Sequence, residues 1–519
     1  MWTALAALVT AAAVNVPLLY IFARAGEAGW ARYLEIVASP LTGALLARTL
    51  LLVVGVLALA LPLAVGLAWL VTRTDLPGRR LWAVVAALPL VFPSYVAAFA
   101  WISTWGPRGY AQKALAWIGV ETLPSWAYGY SGAVLVLALF TYPYVYLLVV
   151  AALRKMDPAT EEAARSLGRK PWSVFFGVVL PQLARPLYAG SLLMTLYALS
   201  DFGAVSIVRY NTFTLSIYNA YRGLFDRTAA ASLATLLVLL TIGLIALEGA
   251  LSSRLRPALA APGRPPRRLA LGPWRFPATI AVALVALVNL VLPLAVIGLW
   301  AVQAVRLGNP LGTLGNAALH STAVALATAT VAVILSLPVS IWATRNRSRL
   351  ARVAMGATYG GYALPGLVIA LSLVFFATRL APPLYQTVWL LVGAYVVRFL
   401  PEAVSATRSA LGALAPAFEE AAKSLGRSSW EVVRTITLPL IRPGLLAGAG
   451  LVFLTTMKEL PATLILRPTG FDTLAVRVWT AASEGIYSQA ALPALVLVLA
   501  SAPPVYFLIL RPVLAEHER

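Results

Sequence analysis

Long apolar runs separated by short polar segments make up most of this chain of 519 residues. An α-helix needs about 20 apolar residues to cross the hydrocarbon core of a bilayer, and twelve runs approach or exceed that length. Strands of a membrane barrel would be about ten residues long and would alternate in polarity, whereas these runs do not alternate. The pattern therefore predicts an all-α membrane protein with about twelve transmembrane helices. Their approximate ranges are 4–22, 42–71, 81–103, 131–153, 187–208, 229–251, 277–302, 317–343, 353–378, 387–408, 444–466 and 489–510.

Composition agrees with a membrane protein and narrows the chemistry. Only 11% of the residues are charged, whereas a soluble globular protein has about 25%. The chain has no cysteine and two histidines, which excludes a disulfide framework and a cysteine nucleophile and argues against a clustered soft-metal site. It also lacks the G-x-x-x-x-G-K-[ST] phosphate loop and the G-x-S-x-G and H-E-x-x-H motifs. We therefore expect no enzymatic activity and no bound cofactor in this chain.

Lys and Arg are unevenly distributed between alternate loops, which predicts the orientation of the chain in the membrane. With the N-terminus inside, the inner loops contain 27 of the 40 basic residues and the outer loops contain 11. Both termini are therefore predicted to be cytoplasmic. The asymmetry accounts for most of the net charge of +21, so we expect no nucleic-acid partner. The first apolar run lacks a preceding basic segment and a convincing cleavage site, which favours a retained helix over a cleaved signal peptide.

A repeat in the polar segments divides the chain into two halves. Residues 157–181 match residues 415–439 at 14 of 25 positions without a gap, at an offset of 258. In the same register Asp201 corresponds to Glu459. Each half then has six predicted spans, and an even number of spans makes the two repeats parallel. The predicted divisions are a first half, 1–253, with its repeated loop at 157–186; a cytoplasmic linker, 254–276; and a second half, 277–519, with its repeated loop at 415–443.

Each copy of the repeat has the sequence of a helical hairpin. Asp157 can cap a first helix, and Gly168 supplies the left-handed position that ends it. A second short helix is predicted to finish before Pro181. The second copy adds a capping box of Ser428 and Glu431. A single copy would be an ordinary well-capped loop, but two copies at matching places indicate a docking surface for a twofold partner.

The repeated motif resembles the EAA loop of binding-protein-dependent ABC importer permeases. Both copies have Glu-Ala-Ala, then Gly four residues after the last Ala, then Leu-Pro twelve residues after that Gly. In that family the loop forms a coupling helix that sits in a cleft of the ATP-hydrolysing subunit. The resemblance implies the type I ABC importer permease fold, with two six-helix halves related by a pseudo-twofold axis. It implies an ATPase-coupling role for Glu162, Ala163, Ala164, Gly168, Glu420, Ala421, Ala422 and Gly426.

Most such permeases are separate six-helix chains that pair, and this chain resembles the fused type. The segments SDFGAVSIVRYNTF from Ser200 and KELPATLILRPTGFDTLAVRVW from Lys458 are similar to ferric-ion importer permeases. Thiamine permeases are fused in a similar way, so thiamine, sulfate and polyamine are alternative cargoes. The implied partners are a homodimer of ATP-binding subunits on the cytoplasmic side, which use ATP and Mg, and an extracytoplasmic substrate-binding protein. The implied location is the cell inner membrane, as a multi-pass protein in the lipid bilayer.

Two other functional classes are open from the residues alone. A secondary transporter driven by an ion gradient would also be a pseudo-symmetric twelve-helix bundle, but it has no use for paired EAA loops. A non-transporting membrane scaffold would show no substrate-stimulated ATPase activity after reconstitution. Co-purification of an ATPase separates the importer from the secondary transporter.

Charged side chains inside predicted spans cost free energy and usually face the interior of the bundle. Asp201 and Glu459 lie at equivalent depths, and two carboxylates could line a translocation path for a hard, oxygen-seeking cation such as Fe³⁺. The alternative is structural, with Asp201 as a local cap and Glu459 paired with a nearby cation, either Lys458 or Arg467. Arg398 and Glu402, one helical turn apart, are expected to form an ion pair at an inner helix end.

Overall fold

A computed structural model describes residues 2–507 except residues 28, 108 and 347 and the segments 120–124, 254–267 and 309–310. The described residues are almost entirely helical. The helices of the first half are α1 (Trp2–Gly26), α2 (Trp30–Val37), α3 (Pro40–Arg73), α4 (Arg79–Val85), α5 (Ser94–Trp105), α6 (Tyr110–Ala116), α7 (Gly129–Lys155), α8 (Ala159–Ser166), α9 (Pro171–Val174), α10 (Leu180–Gln182), α11 (Ala184–Ser200), α12 (Gly203–Ile207), α13 (Phe213–Tyr218) and α14 (Arg227–Ser252). Those of the second half are α15 (Arg275–Ala286), α16 (Leu292–Arg306), α17 (Leu311–Arg345), α18 (Arg349–Thr358), α19 (Gly360–Ala363), α20 (Gly366–Leu380), α21 (Val388–Ala413), α22 (Ala417–Ser424), α23 (Ser429–Val432), α24 (Leu438–Met457), α25 (Pro461–Leu466), α26 (Leu474–Ser483) and α27 (Tyr487–Val505).

The number of membrane-spanning helices agrees with the prediction of about twelve. Within the described residues, nine helices are long and apolar enough to cross a membrane, or eleven when each of two bent helix pairs counts as one span. The remaining predicted span, 187–208, corresponds to the 17-residue α11 followed by the short α12. The all-α membrane fold is therefore confirmed, although four of the spans are not the continuous helices that the apolar runs predicted.

The third span of each half is sharply bent. The helices on the two sides of the bend meet at 98° in the first half and at 101° in the second. A proline follows each bend, Pro93 or Pro365, and the residue before it is extended, with ψ of 125° at Phe92 and 122° at Leu364. Proline disfavours the α conformation in the preceding residue and lacks a backbone donor. The prediction of continuous helices over 81–103 and 353–378 was wrong for this reason.

The fifth span of each half is interrupted at the equivalent place. The first half breaks between α11 and α12, and the second breaks between α24 and α25. Pro461 begins α25 and lacks the donor that would continue α24. Gly203 begins α12 where the halves approach closely, since an added Cβ would lie 2.8 Å from Tyr95 and 3.3 Å from Leu460. Residues 201 and 459 therefore lie in breaks between helices, and the predicted continuous spans 187–208 and 444–466 were wrong at this point.

The second helix of each hairpin continues toward the fifth span. A π-helical turn, Phe175–Val179 or Val433–Thr437, comes directly before α10 and α24. The wider turn places Pro181 and Pro439 at the start of the following helix, where a missing N–H costs little. The expected end before Pro181 was therefore wrong, because the proline is accommodated instead of stopping the helix.

The first span of each half packs against the other half. Helix α1 lies against α17, α18 and α20 as well as α14, and α16 lies against α5 and α27. The Asn15 amide donates a hydrogen bond to the Ala357 carbonyl at 2.9 Å. The rings of Tyr110 and Trp300 lie 5.5 Å apart. The two halves therefore form one interlocked bundle, in which order along the chain is not order in space.

The described end of the linker is attached to the first half. Leu269 donates its N–H to the Arg73 carbonyl at 2.9 Å, and its own carbonyl accepts from the Asp75 N–H at 3.2 Å. The Leu271 N–H donates to the Asp75 carboxylate at 2.9 Å. The segment 254–267 of the predicted linker lies outside the described residues. The described end runs beside the loop between the second and third spans, one of the loops predicted to be cytoplasmic.

Candidate functional sites: two helical hairpins and a buried polar cluster

The two repeated loops form helical hairpins of similar geometry. Helices α8 and α22 are each followed by a glycine with positive φ, 79° at Gly168 and 82° at Gly426. The Asp157 carboxylate accepts the Ala159 N–H at 2.9 Å. The capping box of Ser428 and Glu431 is present at the start of α23. The local structure predicted for the start and end of the first helix, and for the capping box, is confirmed.

The eight predicted coupling residues do not all face the same side of their helices. Ala164 and Ala422 are buried against the rest of the protein, with 8% and 7% exposure. The other six are exposed: Glu162, Ala163, Gly168, Glu420, Ala421 and Gly426. Consecutive residues are about 100° apart around a helix, so the first alanine of each pair faces outward and the second packs inward. The exposed six remain available to a partner.

Large apolar side chains are also exposed on both hairpins. Leu167 and Leu425 stand directly before the cap glycines and are 81% and 85% exposed. Trp172 of the first hairpin and Phe418 and Trp430 of the second are exposed as well. Several large apolar side chains exposed within one short polar loop are typical of an interaction surface. The hairpins thus present two matching surfaces of apolar and acidic groups.

Sequence reasoning missed the glutamate that precedes each Glu-Ala-Ala motif. The Oε1 of Glu161 lies 3.1 Å from Nη2 of Arg73 at the end of α3. The Oε2 of Glu419 lies 2.9 Å from Nε of Arg345 at the end of α17. Burial raises the pKa of the Glu161 carboxyl, and the guanidinium of Arg73 opposes that effect. The sequence did contain a signal, because both repeats have a second Glu and both second spans end in Arg.

Asp201 is buried at the helix break of the first half, where it acts as a local cap. Its residue exposure is 6%. Its Oδ1 accepts the N–H groups of Ala204 at 3.0 Å and Val205 at 3.2 Å. Its backbone carbonyl accepts the Thr214 hydroxyl at 2.6 Å. The local capping that the sequence left as the structural alternative is therefore present.

Glu459 forms an ion pair, but the cation is not the expected one. Its Oε1 lies 3.0 Å from Nη1 of Arg398 and accepts the Ala462 N–H at 3.2 Å. The Nζ of Lys458 instead donates to the Leu90 carbonyl of the first half at 2.8 Å. The suggested pairing of Glu459 with Lys458 or Arg467 was wrong, because Lys458 turns toward Leu90 and Arg467 pairs with Asp472.

The expected ion pair between Arg398 and Glu402 is also absent from the contacts. Arg398 turns toward Glu459, and the Glu402 carboxylate accepts the Thr455 hydroxyl at 3.0 Å. Gly366, at the start of α20, leaves room for this arrangement, since a Cβ there would overlap the Arg398 guanidinium. A spacing of one helical turn permits a contact but does not require it. The Glu459 carboxylate, in the break of the fifth span, binds the arginine instead.

The two carboxylates lie where the halves meet. Contacts across this junction include the close approach of Gly203 to Leu460 and the hydrogen bond from the Trp479 indole to the Ser206 hydroxyl at 2.8 Å. Within the described residues, no three His, Cys, Asp or Glu side chains come together as a metal site. Carboxylate, guanidinium and ammonium groups therefore lie at this junction.

Comparisons with known proteins agree with the repeated loops. The chain matches the family described as binding-protein-dependent transport system inner membrane component over residues 48–257 and 336–510. It is 34% identical to the Fe(3+)-transport system permease protein FbpB 2 of Haemophilus influenzae, over 98% of this chain and 97% of that protein. It is also 34% identical to the molybdenum transport system permease protein ModB of Escherichia coli, over 28% of this chain and 62% of that protein. The identity to the sulfate transport system permease protein CysT of Escherichia coli is 29%, over 46% of this chain and 87% of that protein.

Proposed function

Because the chain belongs to the family of binding-protein-dependent transport system inner membrane components, we propose that it forms the membrane path of an ATP-driven importer for ferric ion. It is the permease subunit of an ABC importer and not itself an enzyme. The ferric-ion assignment rests on the similarity to an Fe(3+)-transport permease along 98% of the chain. The relatives named for molybdenum and sulfate match less than half of it. Family membership also argues against a gradient-driven transporter and against a scaffold.

Two identical ATP-binding subunits dock on the two hairpins, one on each. The exposed Leu167 and Leu425 and the exposed glutamates Glu162 and Glu420 supply matching apolar and acidic contacts. The docked subunits bind ATP and Mg, and their closure moves the hairpins. This movement switches the bundle between outward and inward access. A substrate-binding protein delivers the cargo at the opposite face.

The orientation follows from the distribution of basic residues. The halves 1–253 and 277–519 insert with both termini in the cytoplasm, joined by the linker 254–276. Reporter tags in the linker should be cytoplasmic, and a tag near Arg222 should be external. A tag in the linker that proves external would overturn this topology, because the hairpins would then lie on the wrong side for ATP.

The two buried carboxylates line the path at the junction of the halves. Asp201 and Glu459 occupy equivalent breaks in the fifth spans and are both 6% exposed. Carboxylate oxygens suit a hard cation such as Fe³⁺. Arg398 compensates the charge of Glu459 when no cargo is present, at a distance of 3.0 Å. A cationic cargo that displaces this guanidinium gains the Glu459 carboxylate at the junction of the halves.

Reconstitution tests the cargo directly. The full chain is assembled with its ATP-binding subunits in liposomes and supplied with its substrate-binding protein. The binding protein is preloaded in separate samples with ferric ion, thiamine, molybdate or sulfate. We expect ferric ion alone to stimulate ATP hydrolysis and to accumulate inside the liposomes.

Stimulation by thiamine without stimulation by ferric ion would replace the iron assignment by the thiamine alternative. Stimulation by molybdate or sulfate would replace it by an oxyanion. In either case the chain would remain an ABC permease, because family membership does not depend on the cargo.

A further inference from the structure

Each coupling helix forms an ion pair with the second span of its half, although its hairpin is joined in sequence only to the fourth and fifth spans. Helix α8 lies in the loop between α7 and α11, yet Glu161 contacts Arg73 at the end of α3. Helix α22 lies between α21 and α24, yet Glu419 contacts Arg345 at the end of α17. The two ion pairs are equivalent in the two halves, although the arginines are 272 residues apart and the glutamates 258. The same ion pair therefore forms in both halves although the number of residues between its arginine and its glutamate differs.

Both ion pairs are shielded from water, the first more than the second. The side chains of Arg73 and Glu161 are 2% and 7% exposed, and those of Arg345 and Glu419 are 23% and 13% exposed. Arg73 also donates to the Leu153 carbonyl at 3.0 Å. Its Nε and Nη1 have no hydrogen-bond partner in the part of the chain that the structure describes. Apolar side chains would hold two helices together at lower desolvation cost, so stability alone does not account for these contacts.

Additional groups fix the position of each glutamate. The Arg165 guanidinium lies 3.7 Å from the second oxygen of Glu161. In the second half the Thr437 hydroxyl donates to Glu419 at 2.9 Å, and Thr437 ends the π-helical turn before α24. Each glutamate thus joins the coupling helix to the end of the second span, and Glu419 also joins it to the base of the fifth.

We propose that Arg73 and Arg345 are positioning residues that transmit movement of the coupling helices to α3 and α17. The backbone of the hairpin connects the coupling helix only to the fourth and fifth spans. The ion pairs add the second span, so that three spans of each half move with one ATP-binding subunit. The inference rests on the proposed docking of those subunits on the hairpins and does not involve the cargo.

Spin labels at the inner ends of α3 and α17 measure this movement. The chain has no cysteine, so Thr72→Cys and Thr344→Cys introduce a single labelled pair, one residue before each arginine. The complete complex with its ATP-binding subunits is placed in lipid nanodiscs. The distance between the labels is measured by pulsed electron paramagnetic resonance, without nucleotide and with ATP plus vanadate.

The test variant removes both charges of both ion pairs: R73Q, E161Q, R345Q and E419Q. Neutralising both partners avoids leaving a lone buried charge, which would destabilise the fold. The control, R32Q with E35Q, neutralises an exposed ion pair on α2 whose atoms are 2.8 Å apart. We expect the nucleotide-dependent shift of the label distance in the parent and the control, and its loss in the test variant. The ATP-binding subunits should remain bound and hydrolyse ATP in all three.

An unchanged shift in the test variant would overturn the proposal, and so would the absence of a shift in the parent. If the test variant assembles poorly, R345Q with E419Q alone removes the more exposed pair, and we expect a partial loss of the shift. An unchanged shift in that variant would count against transmission through Arg345. A complex that fails to take up iron but still shows the shift would contradict only the cargo assignment.

Discussion

The two halves share a backbone plan but differ in charge where they meet. Asp201 corresponds to Glu459 at an offset of 258, and Phe140 of the first half stands where the second half has Arg398. Asp201 is satisfied by two backbone N–H groups of its own half. The Glu459 carboxylate accepts one backbone N–H, that of Ala462, and pairs with the Arg398 guanidinium. Equivalent carboxylates therefore have different partners.

The comparison shows which features a duplicated chain keeps and which it changes. The bends of the third spans, the π-helical turns of the hairpins and the cap glycines recur at equivalent places. The prolines at the bends and the glycines at the caps recur with them. The partner of the fifth-span carboxylate does not recur, because the second half has Arg398 where the first half has the apolar Phe140. A similar backbone frame thus surrounds an asymmetric junction, to which the first half supplies Asp201 and the second half supplies Arg398, Lys458 and Glu459.

The largest effect is expected where the halves are most alike, at the hairpins. Gly168→Pro and Gly426→Pro should each abolish transport while the chain still inserts in the membrane. Proline cannot adopt the φ of 79° or 82° found there, and misplacing it in a helix costs about 3 kcal/mol or more. Transport and ATP hydrolysis by the assembled complex measure the effect. The two defects should differ in size, since only the second hairpin has a capping box.

Normal transport by both proline variants, with the ATP-binding subunits still bound, would contradict the docking role of the hairpins. Equal defects would show that the capping box does not distinguish them.

The second-largest effect should be a loss of stability that occurs in the second half and not at the equivalent position of the first. Arg398→Gln leaves Glu459 buried without its counter-charge and should destabilise the chain by about 3–5 kcal/mol. The matched first-half variant is Phe140→Met, an apolar exchange that should cost less than about 1.5 kcal/mol. Thermal unfolding of the purified protein measures both. Adding Glu459→Gln to Arg398→Gln should restore much of the loss, and equal unfolding temperatures for R398Q and F140M would contradict the ion pair.

Neutralising Asp201 and Glu459 compares the two halves again, with a smaller expected loss of stability than that of Arg398→Gln. Asp201→Asn keeps an acceptor for the Ala204 and Val205 N–H groups, so assembly should survive while uptake of ferric ion falls. Glu459→Gln should lower uptake too, and should also destabilise the protein because Arg398 loses its partner. Uptake by liposomes and basal ATP hydrolysis are measured side by side, and basal hydrolysis should persist. Uptake at the parent rate by both variants would make the carboxylates purely structural.

The smallest expected effect is a change in amide exchange at the start of the second helix of each hairpin, α9 or α23. Ser428→Ala removes a side-chain cap and should cost about 1 kcal/mol locally, or about fivefold faster exchange of the first amides of α23. Lys170→Ala should change nothing, because Lys170 has no capping hydrogen bond at the start of α9. Hydrogen exchange followed by mass spectrometry measures both peptides. If amide exchange changed equally in the two variants, the Ser428 cap would not distinguish the second hairpin from the first.

Local signals in the sequence were sufficient for the span count, the repeat and the hairpin caps. A cap such as Gly168 or the pair Ser428 and Glu431 depends on residues within one turn of the chain, so reading adjacent positions is enough. The bends were also readable, since Pro93 and Pro365 lie inside the apolar runs. The bends were missed because hydropathy measures the preference of a residue for lipid and does not indicate whether a helix is continuous at that residue.

Tertiary structure alone decided which charges meet and which helices are neighbours. Arg73 reaches Glu161, Arg398 reaches Glu459 in preference to Glu402, and α1 packs against the second half. In a bilayer, lipid chains are as apolar as the helix surfaces, so hydropathy does not rank one helix partner above another. Close packing and the directions of a few polar side chains make that choice. These directions are set only when the helices have assembled, because a carboxylate binds the cation that the packed bundle brings to it.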